Sequence, residues 1–484
     1  MTIPAAQAEV AAFLARHTGA TPIETHISAV YVGQAEALKM KKAVALGFLD
    51  FSTLAAREDF CRRELALNAP GAPDLYRDVV PVTRAADGGL RLGGEGRTIE
   101  WVLRMAPLPP DAFLEAMPAI SPAMLDAIAD AVVALHAAAP CHTGDAPAAM
   151  ARVIAGNRAA GVAAGLALDE WHAEARLAAL APLLRERAEQ GFFRRCHGDL
   201  HLGNLCLLNG CPTPFDALEF DEDLATIDTG YDLAFLLMDL ERRHGRAAAN
   251  RVFNRYVAGT GDSGFVGALP LFLSLRAVIR AHVEARSGRD PEAYRAAAIG
   301  YPAPTPPRLI AIGGLQGSGK SHLARALAPE IGAAPGALVL RSDEIRKRLH
   351  GVAAETRLPA EAYRPEMSAK VHAALFASAE AALRAGHSVI ADAVWYDPAI
   401  RAAIAAVAER AGAGFTGIWL EAPLPVLLAR IAARRGDASD ADATVLARTA
   451  DADPGTVSWH RFEATDEGLL AAAHALPAGQ AMLR

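Results

Sequence analysis

The segment from Gly314 to Ser321 constrains the fold of this chain more than any other feature. It reads Gly-Leu-Gln-Gly-Ser-Gly-Lys-Ser and fits the pattern G-x-x-x-x-G-K-[ST]. The apolar run 309–313 before it suits a buried strand, and a helical pattern over 322–331 follows. In such a turn, glycines let successive backbone N–H groups wrap an anion, and the helix N-terminus adds its positive end. The sequence therefore predicts a phosphate-binding loop that opens an α/β domain.

Each position of this loop has a predicted role. Lys320 would reach the β- and γ-phosphates of a nucleotide, and the Ser321 hydroxyl would ligate Mg²⁺. The cofactors predicted on this basis are ATP and Mg²⁺. The predicted nucleotide-binding positions in the loop are Gly314, Gly317, Ser318, Gly319, Lys320 and Ser321.

Polar side chains follow three further apolar runs in this part of the chain. The predicted strands cover 337–341, 387–391 and 415–420. Asp343 and Asp392 come just after the first two, and a helix with Arg430, Arg434 and Arg435 follows the third. Because ligands bind at the carboxyl ends of parallel strands, we predict that Asp392 holds the Mg²⁺ shell and that the arginines clamp phosphate oxygens. The alternative is that each acid caps a helix and each arginine lies on a solvated helix face.

Residues 309–484 resemble the P-loop small-molecule kinases, the group that includes zeta toxins, polynucleotide kinases and gluconate kinases. This resemblance implies that Asp343 activates the acceptor hydroxyl, and that Arg434 or Arg435 belongs to a lid. It specifies phosphoryl transfer and leaves the acceptor open.

A second group of polar residues lies upstream, in His197-Gly198-Asp199-Leu200-His201-Leu202-Gly203-Asn204. A hairpin-like stretch with a turn at Asn209-Gly210 follows and ends in Asp216. Asp199 can orient an acceptor hydroxyl and take its proton, while Asn204 and Asp216 can supply oxygens to a metal. The segment resembles the aminoglycoside-phosphotransferase-like branch of the protein-kinase fold, whose motif is His-Gly-Asp-x-x-x-x-Asn followed by a metal-binding Asp. In that family the histidine is structural, so we do not predict a catalytic role for His197.

The same resemblance implies a lysine on an N-terminal strand and a glutamate on the next helix. Only six of the 48 basic residues are lysines, and three of them fall between 39 and 42. Lys39 and Lys41 share one strand face, so either fits the first role, and Glu64 fits the second on a helix over 52–68 that Ser52 would cap. The alternative for the lysines is a basic surface strand. No G-x-G-x-x-G loop is present, so Thr25 to Gly33 would have to cover the phosphates differently.

The chain as a whole resembles bacterial tandem proteins described as bifunctional aminoglycoside phosphotransferase/ATP-binding proteins. Segments that carry this resemblance include Thr25–Ser28 and Phe48–Thr53. The predicted fold is an α+β protein-kinase-like bilobal domain followed by an α/β P-loop domain with a parallel sheet. The predicted boundaries are an N-terminal lobe over 1–110, a helical lobe over 111–300, a proline-rich linker over 301–308 and the P-loop domain over 309–484.

Composition excludes several other classes of protein. At 484 residues and 52% hydrophobic content the chain has enough apolar residues for two or three folded domains, which argues against disorder. The sequence contains no run of 18 apolar residues, so we predict no membrane span. Residues 1–20 are typical of an amphipathic helix rather than a secretory signal. Five cysteines, an odd count, fit a reducing cytoplasm. A net charge of −7 argues against a nucleic-acid coat.

The leading functional prediction is an enzyme with two ATP- and Mg²⁺-dependent phosphoryl-transfer centres that act on small hydroxylated metabolites such as sugars or aminosugars. One alternative is a nucleic-acid 5′-end kinase, favoured by the local positive charge of Arg341, Arg346, Lys347 and Arg348. An aromatic content of only 6% leaves few rings for stacking bases and argues against it. A further alternative is a non-catalytic, ATP-dependent regulatory switch.

Overall fold

The computed structural model describes residues 2–46, 49–450, 453–465 and 468–476. Phe48, the first residue of the Phe48–Thr53 segment, and the last eight residues of the predicted P-loop domain lie outside these ranges. The chain divides into two compact units. Unit 1 comprises Met1–Ile120, Ala134–Val153 and Leu184–Leu236, and unit 2 comprises Ser121–Val133, Ile154–Leu183 and Leu237–Arg484.

The helices and strands of the described ranges follow in chain order. Up to residue 120 they are α1 (Ala8–Thr18), β1 (Ile23–Glu24), β2 (Ser28–Val32), β3 (Ala37–Lys41), β4 (Ala45–Leu46), β5 (Leu49–Asp50), α2 (Leu54–Asn68), β6 (Tyr76–Arg84), β7 (Leu90–Leu92) and β8 (Arg97–Met105). From 121 to 300 they are α3 (Pro122–Ala138), α4 (Ala146–Ala163), α5 (Ala173–Glu189), β9 (Phe193–Arg195), β10 (Leu205–Leu208), β11 (Cys211–Pro214), α6 (Glu222–Ala225), β12 (Thr226–Asp228), α7 (Thr229–His244), α8 (Arg246–Thr260), α9 (Leu269–Arg286) and α10 (Glu292–Gly300).

Residues 303–307 of the proline-rich segment belong to neither a helix nor a strand. The elements that follow it are β13 (Arg308–Gly314), α11 (Lys320–Leu327), β14 (Leu338–Arg341), α12 (Ser342–Leu349), α13 (Pro365–Arg384), β15 (Val389–Asp392), α14 (Pro398–Arg410), β16 (Gly414–Glu421), α15 (Leu424–Ala433), α16 (Ala443–Ala450), β17 (His460–Glu463) and α17 (Leu469–His474). None of the described helices has an apolar stretch long enough to cross a bilayer.

Unit 1 contains an antiparallel six-stranded sheet in the order β1-β2-β3-β8-β6-β7. Alternation along β3 divides its side chains between the two faces of this sheet. Leu38 and Met40 pack into a buried cluster with Val10 and Leu14 of α1. Lys39 and the residues in register with it point to the other face of the sheet. Helix α2 packs against that face, where it contacts β8 and β6. The sheet thus places the lysines next to the helix that carries Glu64.

Helix α2 begins two residues later than Ser52. Thr53, rather than Ser52, is its N-cap, and the Thr53 Oγ1 accepts a hydrogen bond from the Ala56 N–H at 3.2 Å. Ser52 instead donates its N–H to the Asp50 carboxylate at 2.8 Å. Serine and threonine are both favourable N-caps, so the backbone that enters the helix decides between these two neighbours.

The turn at Asn209-Gly210 joins β10 and β11 into a two-stranded hairpin. Asn209 has φ +52° and Gly210 has φ +79°, the left-handed conformations that a type I′ hairpin turn needs. This hairpin leads the chain directly into Asp216.

Unit 2 contains a five-stranded, wholly parallel sheet in the order β14-β15-β13-β16-β17. Ile310, Ile312 and Ile390 pack on one face of the sheet with Leu323 and Leu327 of α11. Both faces are covered, because Leu309 and Ala311 on the opposite face are also fully buried and α13 and α14 contact the sheet. The predicted combination of an α+β kinase-like domain and a parallel P-loop sheet is confirmed.

Candidate active sites

The phosphate loop has a backbone that only glycine allows at three positions. Gly314, Gly317 and Gly319 have φ of +134°, +81° and +91°. A Cβ on Gly314 would lie 2.4 Å from the Leu420 carbonyl oxygen, and one on Gly317 would lie 2.7 Å from that of Leu427. Glycines here therefore permit both the turn and the close approach of neighbouring backbone, which leaves the inner side of the loop for an anion.

Helix α11 begins at Lys320, two residues before the predicted start at 322, so the Lys320 side chain extends from the helix N-terminus. Its Nζ donates to the Leu315 carbonyl oxygen at 2.9 Å. Within the described part of the chain no carboxylate lies within 4.0 Å of it. Burial lowers the pKa of Lys320, and the more distant Asp392 and Asp343 oppose that shift only in part. The loop therefore presents a desolvated cation whose natural partner is a bound anion.

Ser321 and Asp392 meet although they are 71 residues apart. Asp392 ends β15, which pairs with β13, and the Ser321 Oγ donates to the Asp392 Oδ2 at 2.6 Å. A hydroxyl and a carboxylate side by side form the all-oxygen donor set that Mg²⁺ prefers. The structure thus brings the two predicted metal ligands of this loop together.

Asp343 lies in the first turn of α12, directly after β14. Burial raises the pKa of its carboxyl group, and the negative charge of Asp392 adds to the effect. Arg341 and a hydrogen bond from the Ser439 side chain act in the opposite direction. A carboxylate in such surroundings is more basic than an ordinary aspartate and is suited to take a proton from a hydroxyl.

These groups line one cavity of about 670 Å³ within unit 2. Among the predicted site residues, those that line it are Gly317, Gly319, Lys320, Ser321, Asp343, Asp392, Arg430 and Arg434. Arg434 follows α15 and donates to the Ser439 carbonyl oxygen at 3.4 Å. Arg435 is exposed and bonds to the carbonyl oxygens of Ala432 and Arg434, so only the first of the two arginines faces the cavity.

Three charged residues beside this cavity were not expected from the sequence. Arg341 contacts Asp392, and also Asp437, which lines the cavity wall. Asp440 accepts hydrogen bonds from the Lys347 ammonium group and the Tyr363 hydroxyl. The sequence held one signal for them, which is that Arg341 ends an apolar strand. A cation buried there requires carboxylate partners.

The second group of residues lies in unit 1 around the Lys39 ammonium group. Lys39 Nζ is 2.7 Å from Glu64 Oε1 and 2.6 Å from Asp216 Oδ1. Burial opposes the charged form of Lys39, but the two carboxylates outweigh it and raise the pKa of the ammonium group well above its ordinary value. Asp216 has φ +60° and donates its N–H to the Tyr76 hydroxyl at 3.0 Å, which fixes the turn that points it at Lys39.

Lys41, on the same strand face, is enclosed more completely. Its Nζ donates to Glu64 Oε2 at 2.8 Å and also to Glu219, and it lies 5.2 Å from the centre of the Phe51 ring. The Lys41 side chain is 1% exposed, against 12% for Lys39. Glu219, which sequence reasoning missed, thus completes a chain of alternating charges that begins at Asp216.

The loop that carries Asp199 is fixed by a buried acid. Both carboxylate oxygens of Asp232 accept backbone N–H groups, from His197 at 3.0 Å and Gly198 at 2.9 Å. The His197 ring hydrogen-bonds the Phe215 carbonyl oxygen at 2.9 Å, and burial lowers the pKa of this histidine. His197 therefore ties the loop to the residue before Asp216, as a structural histidine would.

Asn204 connects the proposed base to the proposed metal carboxylate. Its Nδ2 donates to Asp199 Oδ2 at 3.0 Å and to the Asp199 carbonyl oxygen at 2.9 Å. The Asn204 backbone carbonyl oxygen accepts a hydrogen bond from the Phe215 N–H at 3.1 Å. Because the amide nitrogen is turned to Asp199, the amide oxygen is left for another ligand.

Comparisons with known proteins match two separate stretches of the chain. Residues 54–265 match the model of the phosphotransferase enzyme family, and residues 309–452 match the model of an AAA domain. An uncharacterized protein of Mycobacterium tuberculosis strain H37Rv is 29% identical over 468 residues, which cover 91% of each chain. The matched families support ATP-dependent phosphoryl transfer, and hence a phosphotransferase enzyme.

Two solved structures are similar to separate parts of the chain. A gluconokinase from Sinorhizobium meliloti 1021 is 21% identical and covers 35% of this chain and 87% of its own, with a TM-score of 0.24. An aminoglycoside-3′-phosphotransferase of type VIII is 18% identical and covers 56% of this chain and 98% of its own, with a TM-score of 0.34. The two family matches lie along the chain in the order that the sequence resemblance predicts, with the phosphotransferase match before the AAA-domain match.

Proposed function

We propose that this protein transfers the γ-phosphate of ATP to hydroxyl groups of small metabolites such as sugars or aminosugars, at two separate centres. The observation that carries the proposal is the single cavity that holds Lys320, the Ser321–Asp392 pair and Asp343 beside a glycine-only anion loop. The domain boundaries proposed above, with a linker over 301–308, leave each centre within its own part of the chain.

At the phosphate loop, the acceptor hydroxyl would lie between Asp343 and the terminal phosphate. Asp343 takes the hydroxyl proton as the acceptor oxygen forms its bond to phosphorus, and the bond from phosphorus to the bridging oxygen breaks to release ADP. Lys320, Arg430 and Arg434 supply positive charge to the phosphate oxygens during transfer. Ser321 and Asp392 would hold Mg²⁺, which, when bound, neutralises phosphate charge and orients the transferred group.

At the second centre we assign the phosphate contact to Lys39 rather than Lys41. Lys39 lies between Glu64 and Asp216 and is the more exposed of the two, whereas Lys41 is enclosed by Glu64, Glu219 and Phe51. Asp199 would take the acceptor proton, and Asn204 and Asp216 would hold the metal through oxygen atoms. The Lys41 ion pairs then keep Glu64 in place while Lys39 exchanges Asp216 for phosphate.

The test is ADP release by the full chain with panels of sugars, aminoglycosides and 5′-hydroxyl oligonucleotides. Asp343→Asn and Asp199→Asn each remove one proposed base. We expect each variant to lose transfer to its own acceptor by about 100-fold or more and to leave the other centre active. The matched controls are Asp442→Asn and Asp221→Asn, which change partly exposed helix-capping acids to an equally good cap.

Three results would contradict the proposal or part of it. Full activity in the double variant of Asp343 and Asp199 would exclude both centres. Phosphate incorporation into oligonucleotides alone would instead identify a 5′-end kinase. ATP binding without ADP release for any acceptor would indicate a regulatory nucleotide domain.

A further inference from the structure

Arg341 lies at the centre of a buried charge cluster next to the metal position of the phosphate loop. It ends β14 and is 4% exposed. Its guanidinium contacts Asp392 Oδ2 at 3.3 Å, Glu344 Oε1 at 2.7 Å and Asp437 Oδ1 at 3.1 Å. The Asp392 oxygen that it contacts is the same one that accepts the Ser321 hydroxyl. Arg341 therefore competes with any cation that binds the Asp392 carboxylate.

The third partner of Arg341 belongs to residues 434–442, which connect α15 and α16 and are called the Asp437 loop here. Arg434 of this loop faces the cavity. Asp437 holds one side of the loop through Arg341, with Arg325 at 3.8 Å as a weaker partner. Asp440 holds the other side through hydrogen bonds from Lys347, Tyr363 and the Leu358 N–H, and touches neither Arg341 nor Asp392 in the described contacts.

We propose that Arg341 is a positioning residue that links metal binding at Asp392 to closure of the Asp437 loop over the cavity. The inference rests on the proposed function of the phosphate-loop centre. A divalent cation at Asp392 weakens the hold of that carboxylate on Arg341. The guanidinium then interacts more strongly with Glu344 and Asp437, and the loop that carries Arg434 is held more firmly. By thermodynamic reciprocity, loss of Asp437 leaves Arg341 closer to Asp392 and weakens metal-dependent nucleotide binding.

The experiment follows the loop directly. The loop contains two tryptic sites, after Arg434 and Arg435, and Arg435 is exposed. The full chain is digested briefly with a nonhydrolysable ATP analogue, once with Mg²⁺ and once with EDTA, and cleavage at these sites is followed by mass spectrometry. Binding of a fluorescent form of the analogue is measured in parallel. We expect Mg²⁺ to slow cleavage about 5-fold or more when the analogue is bound, the lower end of ordinary coupling between sites.

Variants separate the proposed link from simple anchoring. Asp437→Asn should still bind the analogue but lose the Mg²⁺-dependent protection and need several-fold more Mg²⁺ for binding. Asp440→Asn, the matched control, should be cut faster throughout and keep the same ratio between the two conditions. Lys320→Met should abolish protection, because the effect originates at the phosphate loop. Arg341→Lys keeps one charge without the fork and should behave like Asp437→Asn.

The outcomes distinguish the two proposals. Analogue binding without Mg²⁺-dependent protection in the unmodified protein, an unchanged ratio in Asp437→Asn, or full protection in Lys320→Met would each overturn the role of Arg341 and leave the centre itself standing. Absence of analogue binding that depends on Lys320 would contradict the phosphate-loop centre, and the inference would fall with it.

Discussion

The lysines of the two proposed centres lie in opposite electrostatic surroundings. Lys39 pairs with Asp216 and Glu64, and Lys41 pairs with Glu64 and Glu219. Negative and positive charges therefore alternate from Asp216 to Glu219. Lys320 has a carbonyl oxygen as its hydrogen-bond partner. The pKa of Lys39 is raised and that of Lys320 is lowered, although both are buried. One centre must exchange an internal ion pair for phosphate, and the other receives phosphate as the missing partner of its cation.

The largest effect expected from this difference concerns stability. Lys41→Met leaves the buried Glu219 without its cationic partner and leaves Glu64 with Lys39 alone, so it should destabilise the N-terminal sheet by about 3–5 kcal/mol. Lys320→Met removes a cation whose burial disfavours its charged form, and should leave the P-loop sheet unchanged or more stable. Hydrogen exchange of peptides from β3 and β13 reports the two regions separately. Equal losses for both variants would contradict the comparison.

Lys39→Met provides the matched control for that experiment. It removes the same kind of charge from the same strand face, but Glu64 keeps its ion pair with Lys41, and the Asp216 side chain that is left behind is 37% exposed and can be hydrated. The loss of stability should therefore be clearly smaller than for Lys41→Met. A loss as large as that of Lys41 would show that Lys39 is equally structural, and would contradict its assignment to phosphate.

The next effect is on catalysis. Lys39→Met and Lys320→Met should each lower kcat by about 100- to 1,000-fold at their own centre, the usual result of removing one charged group that stabilises a transition state. Lys370→Met changes an exposed lysine and should leave both rates unchanged. The measurement is ADP release with an acceptor specific for each centre. If one lysine variant abolishes phosphate transfer to both acceptors, the two centres do not work independently.

The two sites also differ in how far the sequence predicts them. The phosphate loop is contiguous, so its glycines, Lys320 and Ser321 follow from one eight-residue pattern and the geometry of the turn. The charges around Lys41 do not, because Glu219 is 178 residues away and nothing local distinguishes it from a surface acid. Strand alternation places Lys39 and Lys41 on one face but cannot choose between them. The choice depends on Asp216 and Glu219, which reach the sheet only after the chain has folded.

The same limit applies in the P-loop part of the chain. Strand ends predict where Asp343 and Asp392 lie, because carboxyl ends of parallel strands share an edge. The pattern does not indicate that Arg341 joins Asp392 to Asp437, since the loop between α15 and α16 has no periodic signal. A contiguous ligand-binding loop can thus be predicted from its sequence pattern. Residues such as Arg341, which hold other side chains in place, are found only in the structure.

The smallest effect tests the surroundings of the proposed base. Burial raises the pKa of Asp343, and the hydrogen bond from Ser439 lowers it. Because the base must be ionised, activity at the phosphate-loop centre should fall as pH drops through this raised pKa. Ser439→Ala removes a group that favours the ionised form, so the acidic limb should move to higher pH, by up to about 0.7 unit for a hydrogen bond of about 1 kcal/mol.

The pH profile of kcat/KM measures this shift, and the acceptor specific for the Asp199 centre serves as the internal control because Ser439 lies in the other unit. A shift to lower pH, or an equal shift at both centres, would mean that Asp343 is not the group whose ionisation limits transfer.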